Sequence, residues 1–513
     1  MGAAATLPIN GRDMTGGERA ALTVAVMIGT LMQVLDTTIA NVALPHMQAS
    51  LGVTPETINW VLTSYIVAAA IAIPITGWLA DRIGRKRLFV WSVIVFTAAS
   101  MLCAAAQTLP EMVAFRVLQG ISGAFIAPLS QAVMFDINPP EKHARAMALF
   151  GGGIMIGPIL GPVLGGWLTE SFNWRWVFIV NLPVGIVCTL MLLRFLPKTE
   201  AEAPRFDMFG FALLALALAS LQLMLDRGAQ RDWFESWEIW VETGLALGCG
   251  WMFVVHMLTG RSPLFEPAMF NDRNFAFGML FMGITGVLLL AGLALLPPML
   301  QGLLGYSVLD SGLLTAPRGV GTLISMLMAG RLVGRFDARL LIFIGFSLMA
   351  FSCWQMSGFS LQMDSRLIVI SGVVQGLGIG LIFVPMQSLA FGTLAPRFRT
   401  TASSLINLSR NLGGSIGISI ATTLLARNLQ TSHADLAAHI TPYSVPIVDP
   451  GLIARFGEYG DAALAALDAE INRQALMIAF VNDFRFLMLT TLAALPLVFL
   501  LRKARRAPGA TTA

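Results

Sequence analysis

The sequence predicts an all-α polytopic membrane protein in which two six-helix repeats flank two inserted central helices, fourteen transmembrane helices in all. Three observations carry this. Of 513 residues, 56% are hydrophobic and 12% charged, against roughly 25% charged in a soluble domain. Fourteen apolar runs are long enough to cross a hydrocarbon layer of about 30 Å at 1.5 Å rise per residue. Motifs in the first half return at an offset of about 255 residues, leaving runs seven and eight outside the repeat.

Taken in order, the runs lie near 20–44, 57–79, 88–107, 111–135, 145–168, 176–196, 208–226, 237–259, 275–297, 309–333, 340–358, 365–389, 400–426 and 480–501. They divide the chain into an N-terminal tail (1–19), a six-helix bundle (20–200), a two-helix insertion (201–262), a second six-helix bundle (263–501) that includes an outer loop (428–482), and a C-terminal tail (502–513). Residues 1–18 are polar and lack an apolar stretch and cleavage site of their own, so the first helix is expected to stay as an uncleaved anchor. With the N-terminus in the cytoplasm, cytoplasmic segments hold 22 of the 33 Lys and Arg residues, the opposite side 8 and the span interiors 3 (Arg116, Arg318 and Arg410). The positive-inside rule therefore puts both termini in the cytoplasm. A net charge of +4 is thus a topology signal and does not call for nucleic acid.

The first run contains one charge, Asp36. A carboxylate near the middle of a membrane helix costs at least a few kcal/mol unless paired, neutralised or wet, and such acids mark ion or substrate pathways. Helix 1 runs outward, placing Asp36 roughly 12 Å below Leu44. Helix 4 runs inward from Glu111, placing Arg116 roughly 8 Å below the same surface, so the two charges are expected to meet across a cavity. A cation favours the ionised acid and desolvation disfavours it, a balance that shifts as a cavity opens to water; a proton carrier is built this way. Gln33, Asn41 and Gln119 add polar groups to the same region. Arg318, at comparable depth in the second half, and Arg410, nearer mid-membrane, either line the pathway or pair with backbone carbonyls.

The turn after run two, GWLADRIGRKR, combines Gly77, Asp81, Arg82, Gly84, Arg85 and Lys86. Gly84 permits a tight turn, Asp81 is placed to accept from exposed amides at a helix N-terminus, and the cations hold the inner face. Topology alone needs neither the acid nor the glycines, which favours a gate. The turn returns as GRLVGRFDAR after run ten, with Gly77, Leu79 and Arg82 matched by Gly330, Leu332 and Arg335 but Gly334 in the acid's place and Asp337 in the glycine's, and Gln119-Gly120 returns as Gln375-Gly376. Run five carries Gly153, Gly157, Gly161 and Gly165 at spacings of four, with Pro158 and Pro162. The glycines admit a neighbouring helix closely and the prolines bend the rod. The outer loop holds Pro442, Pro446 and Pro450 and then an Ala-rich stretch with helical apolar spacing, a spacer or a docking element.

Other classes fail on composition. No GxxxxGK[ST] occurs, the five histidines are scattered, and the four cysteines sit far apart in apolar runs. An enzyme or ATP-driven pump is not indicated, and no cofactor is expected beyond a proton gradient.

GWLADRIGRKR, RVLQG and GIMIGPILGPVLGG resemble motifs of the major facilitator superfamily, and internal repeats are a feature of its fold. LDTTIANVALP, NWRWVFIVNLPVG, LDRGAQRDWFES, APRGVGT and SRNLGGSIGIS narrow the resemblance to the fourteen-span drug:proton antiporters of the EmrB/QacA kind, nearest the EmrB branch. The resemblance covers nearly the whole chain. It implies the MFS fold and proton-driven efflux of hydrophobic or amphipathic compounds by alternating access. Asp36 would be the proton-responsive acid and Arg116 its assistant, with the 77–87 turn as inner gate and run five as the antiporter helix. It further implies the inner membrane and, in a Gram-negative cell, a periplasmic EmrA-like adaptor and a TolC-like outer-membrane channel. Two neighbouring readings share these residues: a dedicated exporter of one endogenous metabolite, siderophore or antibiotic, and a proton-coupled uptake symporter, against which run five argues.

Overall fold

The computed structural model describes residues 14–199, 205–260, 263–439 and 450–502, the side chains of 55–56, 140, 159, 308–309 and 450–464 aside. Fourteen long helical rods account for it: α1 (Gly16–Leu51), α2 (Trp60–Ile83), α3 (Arg85–Ala105), α4 (Leu109–Ile137), α5 (His143–Ser171), α6 (Trp176–Phe195), α7 (Met208–Arg231), α8 (Trp237–Thr259), α9 (Arg273–Leu303), α10 (Val308–Leu332), α11 (Ala338–Met356), α12 (Ser365–Gly392), α13 (Arg399–Ala438) and α14 (Pro450–Ala494). Thirteen of the rods are by themselves long and apolar enough to cross a membrane. The remaining one, α13, is long enough, but its buried face carries Ser403, Ser404 and Asn407.

Local chemistry sets the ends. Thr15 accepts the Glu18 N–H at 3.3 Å while the Glu18 carboxylate accepts the Thr15 N–H at 3.0 Å, a reciprocal cap that starts α1. Thr108 and Glu111 do the same for α4. The far end of α1 differs from the sequence expectation. The helix does not stop at Leu44 but runs through Pro45 to Leu51 and closes on Gly52, whose φ of 64° suits glycine. Pro45 withholds a donor from the Asn41 carbonyl, and Asn41 is exposed, so solvent or headgroups can satisfy it. The outer loop is also shorter than expected. Residues 428–438 continue α13 and α14 begins at Pro450, so the Ala-rich stretch is one rod with the last span; Pro442 and Pro446 lie outside the described residues.

Helices α1–α6 and α9–α14 form the two repeated bundles. They meet along α5 against α10 and α12 on one side and along α2 and α4 against α13 on the other. The inserted pair packs through α7 onto α2 and α13. Asp207 ties the insertion together: it caps α7 by accepting the Gly210 N–H at 2.8 Å, lies 3.0 Å from His256 Nε2, and takes the Leu264 N–H at 3.1 Å. α8 turns Trp237, Trp240 and Trp251 outward, as a lipid-facing helix with interfacial aromatics does.

Candidate functional site

Asp36 is fully buried inside the N-terminal bundle, and four helices other than its own converge on its site. Its Oδ2 accepts from Arg116 Nη1 at 2.7 Å; its Oδ1 accepts from Gln119 Nε2 at 2.7 Å and from Asn181 Nδ2 at 2.8 Å. Arg116, also fully buried, donates from Nε to the Val61 carbonyl at 3.0 Å and from Nη1 to Gln119 Oε1 at 2.8 Å. Its guanidinium carbon lies 4.4 Å from the Tyr65 ring centre. Asn181 also donates to Ser100 Oγ at 2.9 Å, and Ser100 donates to the Phe178 carbonyl at 3.0 Å. The network thus ties α1, α2, α3, α4 and α6 into one polar knot. An ion pair in this setting holds because its remaining donors and acceptors are satisfied; removing either charge strands the other.

The expected partnership of Asp36 and Arg116 is therefore present, with a correction: they touch directly, not across a cavity. Gln119 belongs to the knot. Gln33 is half-buried with its Oε1 unpartnered, and the exposed Asn41 takes no part. Asn181 and Ser100 were not singled out in the sequence. Asn181 carried a usable signal, an amide inside the otherwise apolar NLPVGIVC stretch; Ser100 carried none, since serine is ordinary in a membrane helix.

The four glycines spaced four apart on α5, Gly153, Gly157, Gly161 and Gly165, face one neighbour, the Asp36 helix. A Cβ at Gly157 would lie 2.8 Å from Val34 and one at Gly165 3.2 Å from Ile39; one at Gly153 would strike Met27 and one at Gly161 would strike Thr38. The rod breaks at Met155, between His143–Ile154 and Ile156–Ser171, just ahead of Pro158, and Pro162 lies within the outer segment.

On the face that carries the basic turns, the two bundles are locked together. Gly77 on α2 lies directly against Thr401 in the opening turn of α13, and Gly84, at φ 87°, makes the turn into α3. Arg85 pairs with Asp136 on α4, and Arg399 at the start of α13 donates to the same carboxylate at 2.8 Å. Gln131 Oε1 accepts from Ser403 Oγ at 2.7 Å and from Asn407 Nδ2 at 2.8 Å, again across the bundles. Lys86 donates to the Leu193 carbonyl at 2.7 Å, while Arg82 is exposed over Trp78 and Asp81 is half-buried on the last turn of α2. In the second half, Gly330 packs on Ala148, but Asp337 caps α11 by accepting the Arg339 N–H at 3.1 Å. That turn is a helix start without an acid at Gly334. Asp136, Arg399 and Gln131 escaped the sequence reading because their partners lie more than 50 residues away.

Arg318 is buried in the C-terminal bundle and donates to the Leu289 carbonyl at 3.3 Å. Arg410 is half-buried on α13 and pairs with no carboxylate among the described residues. Asp483 on α14 is a second fully buried acid.

Two repeated helical bundles, an intramembrane ion pair and an interlocked basic face define the molecule as a secondary transporter. Residues 26–418 match the family model described as Major Facilitator Superfamily. The chain belongs to that superfamily, and among its members it is similar to the multidrug export protein EmrB of Escherichia coli strain K12, 37% identical over 84% of this chain and 85% of that protein. It is also similar to the fatty acid resistance protein FarB of Neisseria gonorrhoeae, 34% identical over 95% of this chain and 97% of that protein. Among solved structures, the human organic anion transporter MFSD10 covers 92% of this chain and 99% of its own with a TM-score of 0.61; at 15% identity this likeness concerns the fold alone.

Proposed function

We propose that the protein exports hydrophobic or amphipathic compounds from the cytoplasm by alternating access, in exchange for protons, with Asp36 as the coupling acid. The observation that carries this is the saturated Asp36 knot. Protonating that carboxylate removes the counter-charge of a buried arginine and turns an acceptor into a donor, so the knot must rearrange. The knot ties α1, α2, α3, α4 and α6, and α1 is packed without clearance on α5, which reaches the other bundle. A rearrangement at Asp36 is thereby felt where the bundles meet.

The basic face is read as cytoplasmic, on the strength of its arginine and lysine excess, with both termini on that side and the chain read as a multi-pass protein of the cell inner membrane. In this structure that side is closed by Asp136, Arg399 and Gln131, the arrangement an exporter needs while releasing cargo outward. The printed names of the EmrB and FarB relatives support export and leave both a multidrug and a dedicated fatty-acid cargo in view. In a Gram-negative cell, the outward extensions of α13 and α14 would offer a surface for a periplasmic EmrA-like adaptor leading to a TolC-like channel. Transport is the role, not catalysis, and no cofactor beyond the proton gradient is invoked.

The test is proton movement in inside-out vesicles bearing the wild type or Asp36→Asn. Collapse of a preformed pH gradient by several unrelated lipophilic compounds, absent in the variant, is the expected result. Collapse by one compound alone favours a dedicated exporter, and collapse undiminished in Asp36→Asn removes Asp36 from the coupling path.

A further inference from the structure

The two bundles repeat in sequence but not in charge. In the first, Arg116 shares the Asp36 carboxylate with Gln119. In the second, Gln375 stands at the repeat position of Gln119, and the Gly77–Gly330 register puts Arg318 at the position of Tyr65. The arginine thus enters from α10 and not α12, where Gly372 leaves space for it: a Cβ there would lie 3.6 Å from the Arg318 Cβ. What Arg318 lacks is an acid beside it: the buried acid of this bundle, Asp483 on α14, forms no ion pair with it among the described residues. Helices α9, α11 and α12 contain no Asp or Glu, and the acid of α10, Asp310, sits in its exposed first turn bonded to Ser307 at 2.7 Å. The wall facing the guanidinium is Gly292 on α9, where a Cβ would lie 3.6 Å from Arg318 Nη1 and 3.6 Å from Gln375 Nε2.

Arg318 is 6% exposed, its Nη1 has no hydrogen-bond partner, and neither has Gln375 Oε1. A buried guanidinium without a counter-ion is unfavourable, and its planar fork matches a carboxylate. We propose that Arg318 and Gln375, faced by Gly292, which carries no side chain, recognise the carboxylate head of an amphipathic substrate, a lipophilic monocarboxylate of the fatty-acid type. The proposal rests on the reading of the chain as an exporter and names the class of cargo. Arg318 supplies the charge, and the Gln375 amide supplies the second donor that Gln119 supplies to Asp36 in the other half.

The test is equilibrium binding of dodecanoate and of its neutral isostere dodecanamide to the purified full chain in nanodiscs, with no proton gradient. The wild type is expected to prefer the anion by about tenfold or more. Arg318→Gln should bring the ratio to about one, and Gly292→Asp should do the same by giving Arg318 an internal carboxylate. Arg318→Lys, which keeps the charge, should retain part of the preference and guards against loss of fold in the glutamine variant. A wild type that binds both ligands equally, or a preference that survives in both Arg318→Gln and Gly292→Asp, overturns the proposal. A chain that discriminates yet exchanges no protons overturns the export reading alone; one that exports lipophilic cations without discriminating overturns this assignment alone.

Discussion

A fully buried carboxylate that accepts three N–H donors holds its neighbours as firmly as they hold it. Asp36→Asn should therefore cost stability as well as transport, about 3–5 kcal/mol, because Arg116 is left buried without a counter-charge. The double variant Asp36→Asn with Arg116→Gln should regain most of that stability while transport stays lost. Thermal unfolding of the purified proteins, read beside vesicle proton exchange, separates the two effects; a double variant as unstable as the single one would mean that the ion pair is not the source. Asp36 and Arg116 were legible in the sequence because a charge inside an apolar run is an anomaly that needs a reason. The way they meet was not: that depends on the rotation of α4 and α6 about their axes, which Gln119, Asn181 and Ser100 fix through bonds spanning up to 145 residues.

Among the elements, α5 shows a pattern whose meaning changed once its partner was known. Glycines at spacings of four announce close packing, but only the fold reveals that the neighbour is α1, with Thr38 and Val34 set into the gaps, each two residues from the acid. Gly161→Val should destabilise the protein by about 1–3 kcal/mol through overpacking and should slow export even in molecules that fold. Gly166→Val, one turn on, meets nothing within 4 Å and should be close to neutral. Equal losses at the two positions in a thermal-shift measurement would show that helix propensity, not the seam, is responsible. The extensions of α13 and α14 were harder to read, since a rod that leaves the bilayer keeps its helix while losing the apolarity that marks it.

For the whole molecule, the interlock on the basic face sets the balance between the two access states. Asp136→Asn weakens both arginine contacts and should raise the population open on that side. Spin labels at the exposed positions Lys142 and Arg335, one in each bundle, report it as a longer distance distribution than in the wild type. An unchanged distribution would mean that Gln131 with Ser403 and Asn407 holds the bundles without help. The repeat, the insertion and the orientation of the basic turns were all present in the sequence as motif offsets and charge asymmetry. Which state the molecule occupies was not, because access is decided by contacts between the halves that no local pattern encodes.

The sharing of Asp136 between two arginines has a consequence for repeated cycling. Arg85 belongs to the same bundle as the acid and Arg399 to the other. When the halves part, Arg399 withdraws into water, where a cation is at ease, and Asp136 keeps Arg85. No charge is orphaned on the way out, and the place to which Arg399 returns is already formed. The fixed half of the latch never has to be rebuilt from one cycle to the next.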